Sequence, residues 1–384
     1  MSEFIKRITA AVTAMTVTLC GSVTAYSEGE VTGIAKAAIV TEASTGQVLY
    51  EYNSHERLPM ASVTKLMCLL IWAEEMEKGT FNMDTVITAT ARANAMDGSV
   101  IWLNVGEEMS AYDMIRSVVI ASANDACVAV CEYIAGTEEM FVERMNKRAQ
   151  ELGMSDTHYD NCVGFDSDTH YTSAYDTAIL SAAVSEYDCY NEFFNTRLDY
   201  VREGERQTQL LNTNKLMQRY DGIIGGKTGT TDKAGCCLAV WAKRGNMKLC
   251  AVALGCKESE QRFTACTDLL NYGFSGFELY RTAVDSDVLT PVTVTEGLEK
   301  QADIRVKRLN TIVIPKGSSK RIEYTHTVVD SLSAPVRYGE KVGEVRASLD
   351  GEEIFYSDIV TTGEVGELNF FSSLLIIIRR LFSM

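Results

Sequence analysis

The chain has 384 residues, 46% of them hydrophobic and 23% charged, so it can bury a large core and exceeds the usual size of one domain. Its formal net charge is -16, with 52 acidic residues, and such a surface repels phosphate groups. Composition therefore predicts two domains and argues against nucleic acid as a partner.

The N-terminus has the pattern of a secretory signal peptide. A basic pair at residues 6–7 precedes an apolar, small-residue run over residues 8–21, and Ala25 ends a small-residue cleavage motif. Lipid attachment would need a small residue before Cys20, where the chain has leucine. We therefore expect a signal peptide over residues 1–25, cleaved after Ala25, and export of the mature protein.

The next segments predict a hairpin, then a helical region, then further strands. Residues 37–42 and 47–52 flank the turn residues Ser44-Thr45-Gly46, a hairpin pattern. Strands at both ends around a helical middle predict an α/β (α+β) sandwich. The predicted helices are 62–78, 110–120, 138–152, 174–184 and 262–272, and the predicted later strands are 236–242 and 249–255.

The pattern changes from about residue 283 to short β-prone runs separated by turn signals such as Pro315-Lys316-Gly317 and Asp350-Gly351. This pattern of short strands and turns predicts a small all-β domain. We therefore divide the mature chain into a catalytic domain over 30–280, a small all-β domain over 283–363 and a C-terminal helix over 367–384.

The C-terminal segment 367–384 is apolar but contains Arg379 and Arg380, and its unbroken apolar run is shorter than the ~20 residues that span a bilayer. On a helix its polar side chains fall on one side and Leu375, Ile378 and other apolar side chains on the other. We expect an amphipathic helix that lies on the membrane surface. The alternative is an element packed on the small domain.

Ten cysteines follow the signal peptide. They are scattered in apolar segments, as at Cys68 and Cys127, where buried thiols behave as small hydrophobic groups. Export normally predicts disulfides, but this setting favours mostly free, buried cysteines. There is no CxxC pair and there are only 4 histidines, so we predict no metal site.

Three short motifs occur in order: Ser62-Val63-Thr64-Lys65, Ser122-Ala123-Asn124 and Lys227-Thr228-Gly229. A serine and a lysine three residues apart share one face of a helix, where an uncharged lysine can take the hydroxyl proton. Burial beside a second cation lowers a lysine pKa, and we expect Lys227 to supply that cation.

Each of the other two motifs has an alternative interpretation. Ser122 and Asn124 follow an apolar run and could relay protons and orient substrate, but both are also good helix caps. The Gly226-Lys227-Thr228 segment could belong to a phosphate-binding loop. That loop needs a glycine five residues before the Gly-Lys pair, and Asp221 stands there.

Together the motifs resemble the serine penicillin-binding proteins and β-lactamases, which share S-x-x-K, S-x-N and K-T-G. The best match is to the low-molecular-mass D-alanyl-D-alanine carboxypeptidases, and it covers roughly residues 35–283. The resemblance implies a β-lactamase/transpeptidase-like fold and a hydrolase that needs no cofactor. The matching segments are Pro59–Lys65, Ser122–Ala126, 141–146, 152–154, 222–229 and 272–274.

The resemblance also implies residue roles. Ser62 matches the nucleophile that attacks the carbonyl between two D-alanines, and Lys65 matches its base. The N–H groups of Ser62 and Thr230 match the oxyanion hole. The remaining matches are Ser122 and Asn124 in the S-x-N pair, and Lys227, Thr228, Gly229 and Arg262 near the terminal carboxylate of a cell-wall stem peptide.

The match to Arg262 is weaker than the three motifs, because a surface arginine on a helix would look the same. The loop at Asn161-Cys162-Val163-Gly164-Phe165 departs from the family pattern, N-P-x-G-L, because its proline is absent. This leaves the loop geometry open. We interpret His170 and Asp176, in a segment resembling H-x-S-T-A-x-D, as structural.

Two other functions remain possible from the sequence. One is a serine β-lactamase, but no Glu-x-x-x-Asn pattern for the deacylating base occurs between Ser122 and Lys227. We therefore expect β-lactams to act as inhibitors. The other is a catalytically silent peptidoglycan-binding protein, against which the intact Ser62, Lys65 and Lys227 argue. Export and the C-terminal helix predict a location at the outer face of the cytoplasmic membrane.

Overall fold

The structure, a computed structural model, describes residues 33–284 and 289–370. Within these ranges the chain forms two compact units that divide between Gly276 and Phe277. The predicted signal peptide and residues 371–384 of the predicted C-terminal helix lie outside them. Among the described residues, no helix has the length and apolar character needed to cross a membrane.

The strands of the N-terminal unit form a central antiparallel sheet and two small two-stranded antiparallel sheets. In chain order they are β1 (Ala37–Glu42), β2 (Val48–Tyr52), β3 (Val86–Thr88), β4 (Glu108–Ser110), β5 (Leu198–Val201), β6 (Thr208–Leu211), β7 (Ile223–Thr231), β8 (Gly235–Arg244) and β9 (Met247–Cys256).

The described helices of the same unit include six of eleven residues or more. In chain order they are α1 (Lys65–Glu77), α2 (Ala91–Asn94), α3 (Ala111–Ala121), α4 (Asn124–Ala135), α5 (Glu138–Glu151), α6 (Ala174–Val184), α7 (Asn191–Phe194), α8 (Leu216–Arg219) and α9 (Ser259–Gly276), and a 3-10 turn (Ala61–Thr64) precedes α1.

The central sheet has the strand order β2-β1-β9-β8-β7, and all four neighbouring pairs are antiparallel. Its two faces carry different helices. Trp241 packs into the large apolar cluster that contains Trp72 of α1. The thiol of Cys266 on α9 instead contacts the carbonyl groups of Leu238 and Ala251. Because both faces are covered, β1 and β9 are buried along nearly their whole length.

Three of the long helices begin at side-chain caps that the sequence makes possible. The hydroxyl of Ser110 accepts a hydrogen bond from the N–H of Asp113 at 3.1 Å, and Thr137 and Ser173 cap α5 and α6 in the same way. A cap satisfies one of the N–H groups that a first helical turn leaves unpaired. These caps explain why the predicted starts of α3, α5 and α6 agree with the structure to within one residue.

The C-terminal unit is built from strands, with one 3-10 turn (Ser319–Arg321) among its described residues. Two apolar clusters stabilise it, one around Val345 and Phe355 and one around Val294 and Val365. Its strands are β10 (Phe277–Arg281), β11 (Val292–Thr295), β12 (Gln301–Ala302), β13 (Ile304–Val306), β14 (Thr311–Pro315), β15 (Ile322–Val328), β16 (Ser331–Ser333), β17 (Lys341–Leu349) and β18 (Glu352–Thr361).

These observations confirm the predicted α+β sandwich and the C-terminal β unit. The first β-strand of the second unit begins at Phe277, a few residues before the change in pattern that we used as the boundary. Neither α4 nor the hairpin of β5 and β6 was predicted from the sequence. The helix predicted over 62–78 begins as the 3-10 turn and continues as α1.

Candidate active site

The nucleophile candidate Ser62 lies in the 3-10 turn that leads into α1. This turn brings its hydroxyl to the first residue of the helix, so that Nζ of Lys65 lies 2.8 Å from Oγ of Ser62. Ala61, directly before the serine, has a φ of 49°, in the left-handed region that side chains with a Cβ rarely adopt. Such strain is typical of a functional turn that its surroundings hold in place.

Lys65 is fully buried and has three oxygen neighbours. Besides Ser62, Nζ lies 2.7 Å from Oδ1 of Asn124 and 2.8 Å from the carbonyl oxygen of Val163. An uncharged amine has two N–H donors and one lone pair. It can donate one hydrogen bond to Oδ1 of Asn124 and one to the carbonyl oxygen of Val163, since both oxygens are acceptors. Its lone pair can then accept the proton of the Ser62 hydroxyl. Burial lowers the pKa of Lys65, which favours that uncharged form.

Lys227 lies on β7, also fully buried, and donates to Oγ of Ser122 at 2.8 Å. Ser122 ends α3 in a left-handed conformation with φ 65°. Burial, followed by repulsion from Lys65 and Arg262, lowers the pKa of Lys227 well below its usual value. We predicted that the charge of Lys227 lowers the pKa of Lys65. In the structure burial is the leading cause for both lysines, and the repulsion between the two buried cations disfavours the protonation of either one.

The middle of β7 passes close to the serine because it carries glycine. A Cβ on Gly229 would lie 2.6 Å from the carbonyl oxygen of Met60 and 3.0 Å from the backbone nitrogen of Ser62. Any larger residue would push the strand away. The absent side chain therefore lets β7 lie close to the backbone nitrogen of Ser62. Thr228 donates through its hydroxyl to Thr213 at 2.7 Å.

Arg262, on α9, is buried and lies behind this end of β7. Its Nη1 donates to the carbonyl oxygen of Gly229 and to Oγ1 of Thr230, both at 2.9 Å, and its Nη2 donates to Ser259. Only 8% of the residue is exposed, so it is not the surface arginine that was the alternative. The guanidinium therefore fixes the hydroxyl of Thr230.

The loop that lacks the family's proline is held by Asn161 instead. Oδ1 of this residue accepts hydrogen bonds from the N–H groups of Val163, Gly164 and Phe165, at 3.2, 2.7 and 3.0 Å. Its Nδ2 donates back to the carbonyl of Phe165. One carboxamide therefore restrains the backbone, and the loop directs the Val163 carbonyl at Lys65. This oxygen was not predicted from the sequence, because a backbone carbonyl group is present in every residue and gives no distinguishing pattern.

His170 connects the nucleophile's helix to this region. Its Nδ1 accepts from the N–H of Asp160 at 3.0 Å, so its Nε2 carries the proton and donates to Oγ1 of Thr64 at 2.8 Å. Burial lowers the pKa of His170 to about 4, so the ring is neutral at pH 7. The contacts show how the side chain supports Thr64, which directly precedes Lys65.

The pKa of His170 predicts a loss of stability in mild acid. A histidine whose folded pKa lies below its unfolded value of 6.5 stabilises the fold above that value, and this contribution is lost as the pH falls toward 4. Between pH 7 and pH 4 the loss should be roughly 3 kcal/mol. We expect urea unfolding to show this slope in the wild type and much less of it in His170→Asn. His55→Asn, at an exposed histidine, should retain it, and an equal slope in all three proteins would contradict the assignment.

Ten cysteines in the described chain are free, and nine of them are buried. The Sγ atoms of Cys68, Cys127 and Cys131 lie within 4.8 Å of one another, a cluster that the sequence analysis overlooked although Cys127 and Cys131 share a helix face. The thiols of Cys68 and Cys127 point to the carbonyl of Cys162, at 3.2 and 3.5 Å. Metal-bound thiolates would add negative charge near Lys65 and favour its protonated form. The three thiols form a buried cluster between α1 and α4, close to Lys65.

Comparison with known proteins identifies both units. Residues 23–258 match the family model described as D-alanyl-D-alanine carboxypeptidase, and residues 277–367 match the C-terminal domain of penicillin-binding protein 5. The chain is 36% identical over 342 residues to D-alanyl-D-alanine carboxypeptidase DacF of Bacillus subtilis, covering 88% of each chain. It is 30% identical over 349 residues to the enzyme DacC of Escherichia coli, covering 88% of this chain and 86% of the other.

The solved structures agree with this assignment. Penicillin-binding protein 5 of Haemophilus influenzae superimposes with a TM-score of 0.77 at 27% identity, over 87% of this chain and 98% of the other. Penicillin-binding protein 6B of Escherichia coli gives a TM-score of 0.71 at 25% identity, over 85% and 94% of the two chains. With its family match and two-domain correspondence, the chain belongs to the D-alanyl-D-alanine carboxypeptidase family.

Proposed function

We propose that this protein is a serine D-alanyl-D-alanine carboxypeptidase that removes the terminal D-alanine from peptidoglycan stem peptides through an acyl-enzyme on Ser62. The observation that carries the proposal is the 2.8 Å contact between Nζ of Lys65 and Oγ of Ser62, in a pair whose lysine is fully buried and lowered in pKa. A serine hydroxyl is a weak nucleophile until such a base takes its proton.

The proposed reaction has two acyl-transfer steps. Oγ of Ser62 attacks the carbonyl carbon of the penultimate D-alanine while its proton passes to Lys65. The N–H groups of Ser62 and Thr230 stabilise the tetrahedral anion. The C–N bond then breaks, the leaving nitrogen takes up a proton, and D-alanine departs. Water attacks the ester carbonyl in the second step, giving the shortened peptide and free Ser62.

The second lysine and its neighbours suit the other end of the substrate. Lys227 and Thr228 lie on β7, next to the glycine that permits close approach of the strand. We propose that they bind the terminal carboxylate and that Arg262 positions Thr230 for the same purpose. The amine of Lys227 also lies within hydrogen-bond distance of Ser122, which gives a route for a proton toward the leaving nitrogen.

We also propose that β-lactams acylate Ser62 and leave it slowly, because the chain lacks the deacylating glutamate pattern of the β-lactamases. The N-terminal signal pattern supports export, and the amphipathic segment 367–384 supports attachment to the outer surface of the cytoplasmic membrane. The two compact units then correspond to a catalytic domain and a small β domain.

Two measurements on the wild-type protein test this function. A synthetic stem pentapeptide ending in D-alanyl-D-alanine should release D-alanine, detected by chromatography. A fluorescent penicillin should form a stable adduct of one label per chain, which mass spectrometry should locate on the peptide containing Ser62. An adduct without D-alanine release would favour a silent binding protein, and rapid loss of the label as hydrolysed penicillin would favour a β-lactamase.

A further inference from the structure

Trp102 combines a rare backbone conformation with an exposed indole. Its φ is 56°, in the left-handed region, and 69% of the residue is exposed. The chain has only three tryptophans, and the other two, Trp72 and Trp241, are fully buried. Both features cost free energy, since water contacts an apolar ring and the backbone is strained. Their coincidence at one residue points to a role in binding.

The strained conformation is enforced from both sides. The carboxylate of Asp125, itself buried, accepts hydrogen bonds from the N–H groups of Ile101 and Leu103 at 3.1 and 3.0 Å. The guanidinium of Arg206 donates to the carbonyl oxygen of Trp102 at 2.8 Å. The backbone before, at and after the tryptophan is therefore fixed, so the indole is presented from a rigid support.

The residues that hold the Trp102 loop are part of, or adjacent to, the candidate active site. Asp125 directly follows Asn124, whose Oδ1 contacts Lys65. The backbone nitrogen of Asn124 donates to the carbonyl of Ser99 at 2.6 Å, and its Nδ2 donates to the carbonyl of Asp97 at 2.6 Å. Residues 97–103 are thus bound to the start of α4 at two successive residues. The loop that carries Trp102 is attached to the site through Asn124.

The position of this attachment indicates which part of a substrate the indole meets. The groups proposed for the terminal carboxylate lie on β7 and α9, whereas the tryptophan loop is attached at Asn124, whose Oδ1 contacts Lys65, the proposed base of the acylation step. A bound peptide whose carboxylate lies at β7 has its acyl part on the other side of Ser62. Resting on the proposed function, we propose that Trp102 binds the side chain of the residue that precedes D-alanyl-D-alanine, by stacking its methylene groups on the indole.

This role predicts selectivity between two peptides. Acetylated Lys-D-Ala-D-Ala offers four methylene groups to the indole, and acetyl-Ala-D-Ala-D-Ala offers one methyl group. Trp102→Ala should lower kcat/KM for the lysine peptide by about 10-fold and leave the alanine peptide nearly unchanged. Trp102→Phe should restore most of the loss. Tyr338→Ala, at another exposed aromatic residue, serves as the control and should match the wild type for both peptides.

A second measurement, tryptophan fluorescence, detects contact between the peptide and Trp102 in a variant that cannot turn the peptide over. In Ser62→Ala, the exposed indole of Trp102 should give the red-edge fluorescence that acrylamide quenches. The lysine peptide should protect it from quenching, and the alanine peptide should protect it less. Equal losses of kcat/KM on both peptides, or no protection by the lysine peptide, would overturn the inference. Failure of the wild type to release D-alanine from either peptide would instead reject the proposed function.

Discussion

Replacing Lys65 with alanine should lower the rate constant for acylation by penicillin about 1,000-fold. Nζ of this residue is the amine within hydrogen-bond distance of the Ser62 hydroxyl, and its other contacts, to Asn124 and Val163, leave one lone pair for the serine proton. Without that base, the hydroxyl must attack in its protonated form. The measurement is stopped-flow labelling with a fluorescent penicillin.

The same lysine predicts the pH dependence of acylation. Burial lowers the pKa of Lys65 from its usual value of 10.5, so the uncharged form, which is the active one, appears at a lower pH. The acylation rate should therefore rise with pH and level off below pH 10.5. Lys65→Arg should be slow and should show no such rise, because a guanidinium stays protonated throughout this range.

A matched control uses a lysine elsewhere on a helix. Lys147 is exposed on α5, and within residues 33–284 and 289–370 its ion pair is a long contact, 3.9 Å, to Glu151. Lys147→Ala should acylate at the wild-type rate, and thermal unfolding should show that Lys65→Ala is folded. A folded Lys65→Arg that retained the wild-type rate and its pH profile would reject Lys65 as the base.

Much of this site could be predicted from the sequence because its chemistry is carried by side chains in short motifs. The spacing of Ser62 and Lys65 places them together on any helical turn, so their contact follows from local geometry alone. Ser122 and Lys227 are 105 positions apart, and only the resemblance to a family joined them before the structure did. Long-range contacts of this kind depend on the sheet, which local patterns do not specify.

The parts that could not be predicted are backbone groups and the side chains that hold them. The carbonyl of Val163 contacts Lys65 because Asn161 folds the loop around its own carboxamide. The absence of proline suggested a less restrained loop, yet an asparagine side chain provides the restraint through hydrogen bonds. Similarly, the sequence shows Asp125 only as an acidic residue in the first turn of a helix. The fold shows that its carboxylate accepts hydrogen bonds from the N–H groups of Ile101 and Leu103.

Gly164→Ala should lower acylation about 100-fold and reduce the free energy of unfolding by about 3 kcal/mol. Gly164 has φ 94°, and a Cβ there would overlap the carbonyl oxygen of Ala61 and lie 2.9 Å from the backbone nitrogen of Ser62. The neighbouring atoms are backbone and cannot rotate away. The loop must therefore separate from the nucleophile's turn, which removes the Val163 carbonyl from Lys65 and shifts a proposed oxyanion donor.

Gly46→Ala separates the steric effect from the conformational one. Gly46 has a similar φ of 71°, but a Cβ there would meet nothing within 4 Å. This variant should lose about 1 kcal/mol of stability through backbone strain alone and should acylate normally. Stopped-flow labelling and urea unfolding of both variants distinguish the two contributions. Normal acylation by Gly164→Ala would mean that the loop need not contact the turn at Ala61, and the assignment of the Val163 carbonyl as a partner of Lys65 would fail with it.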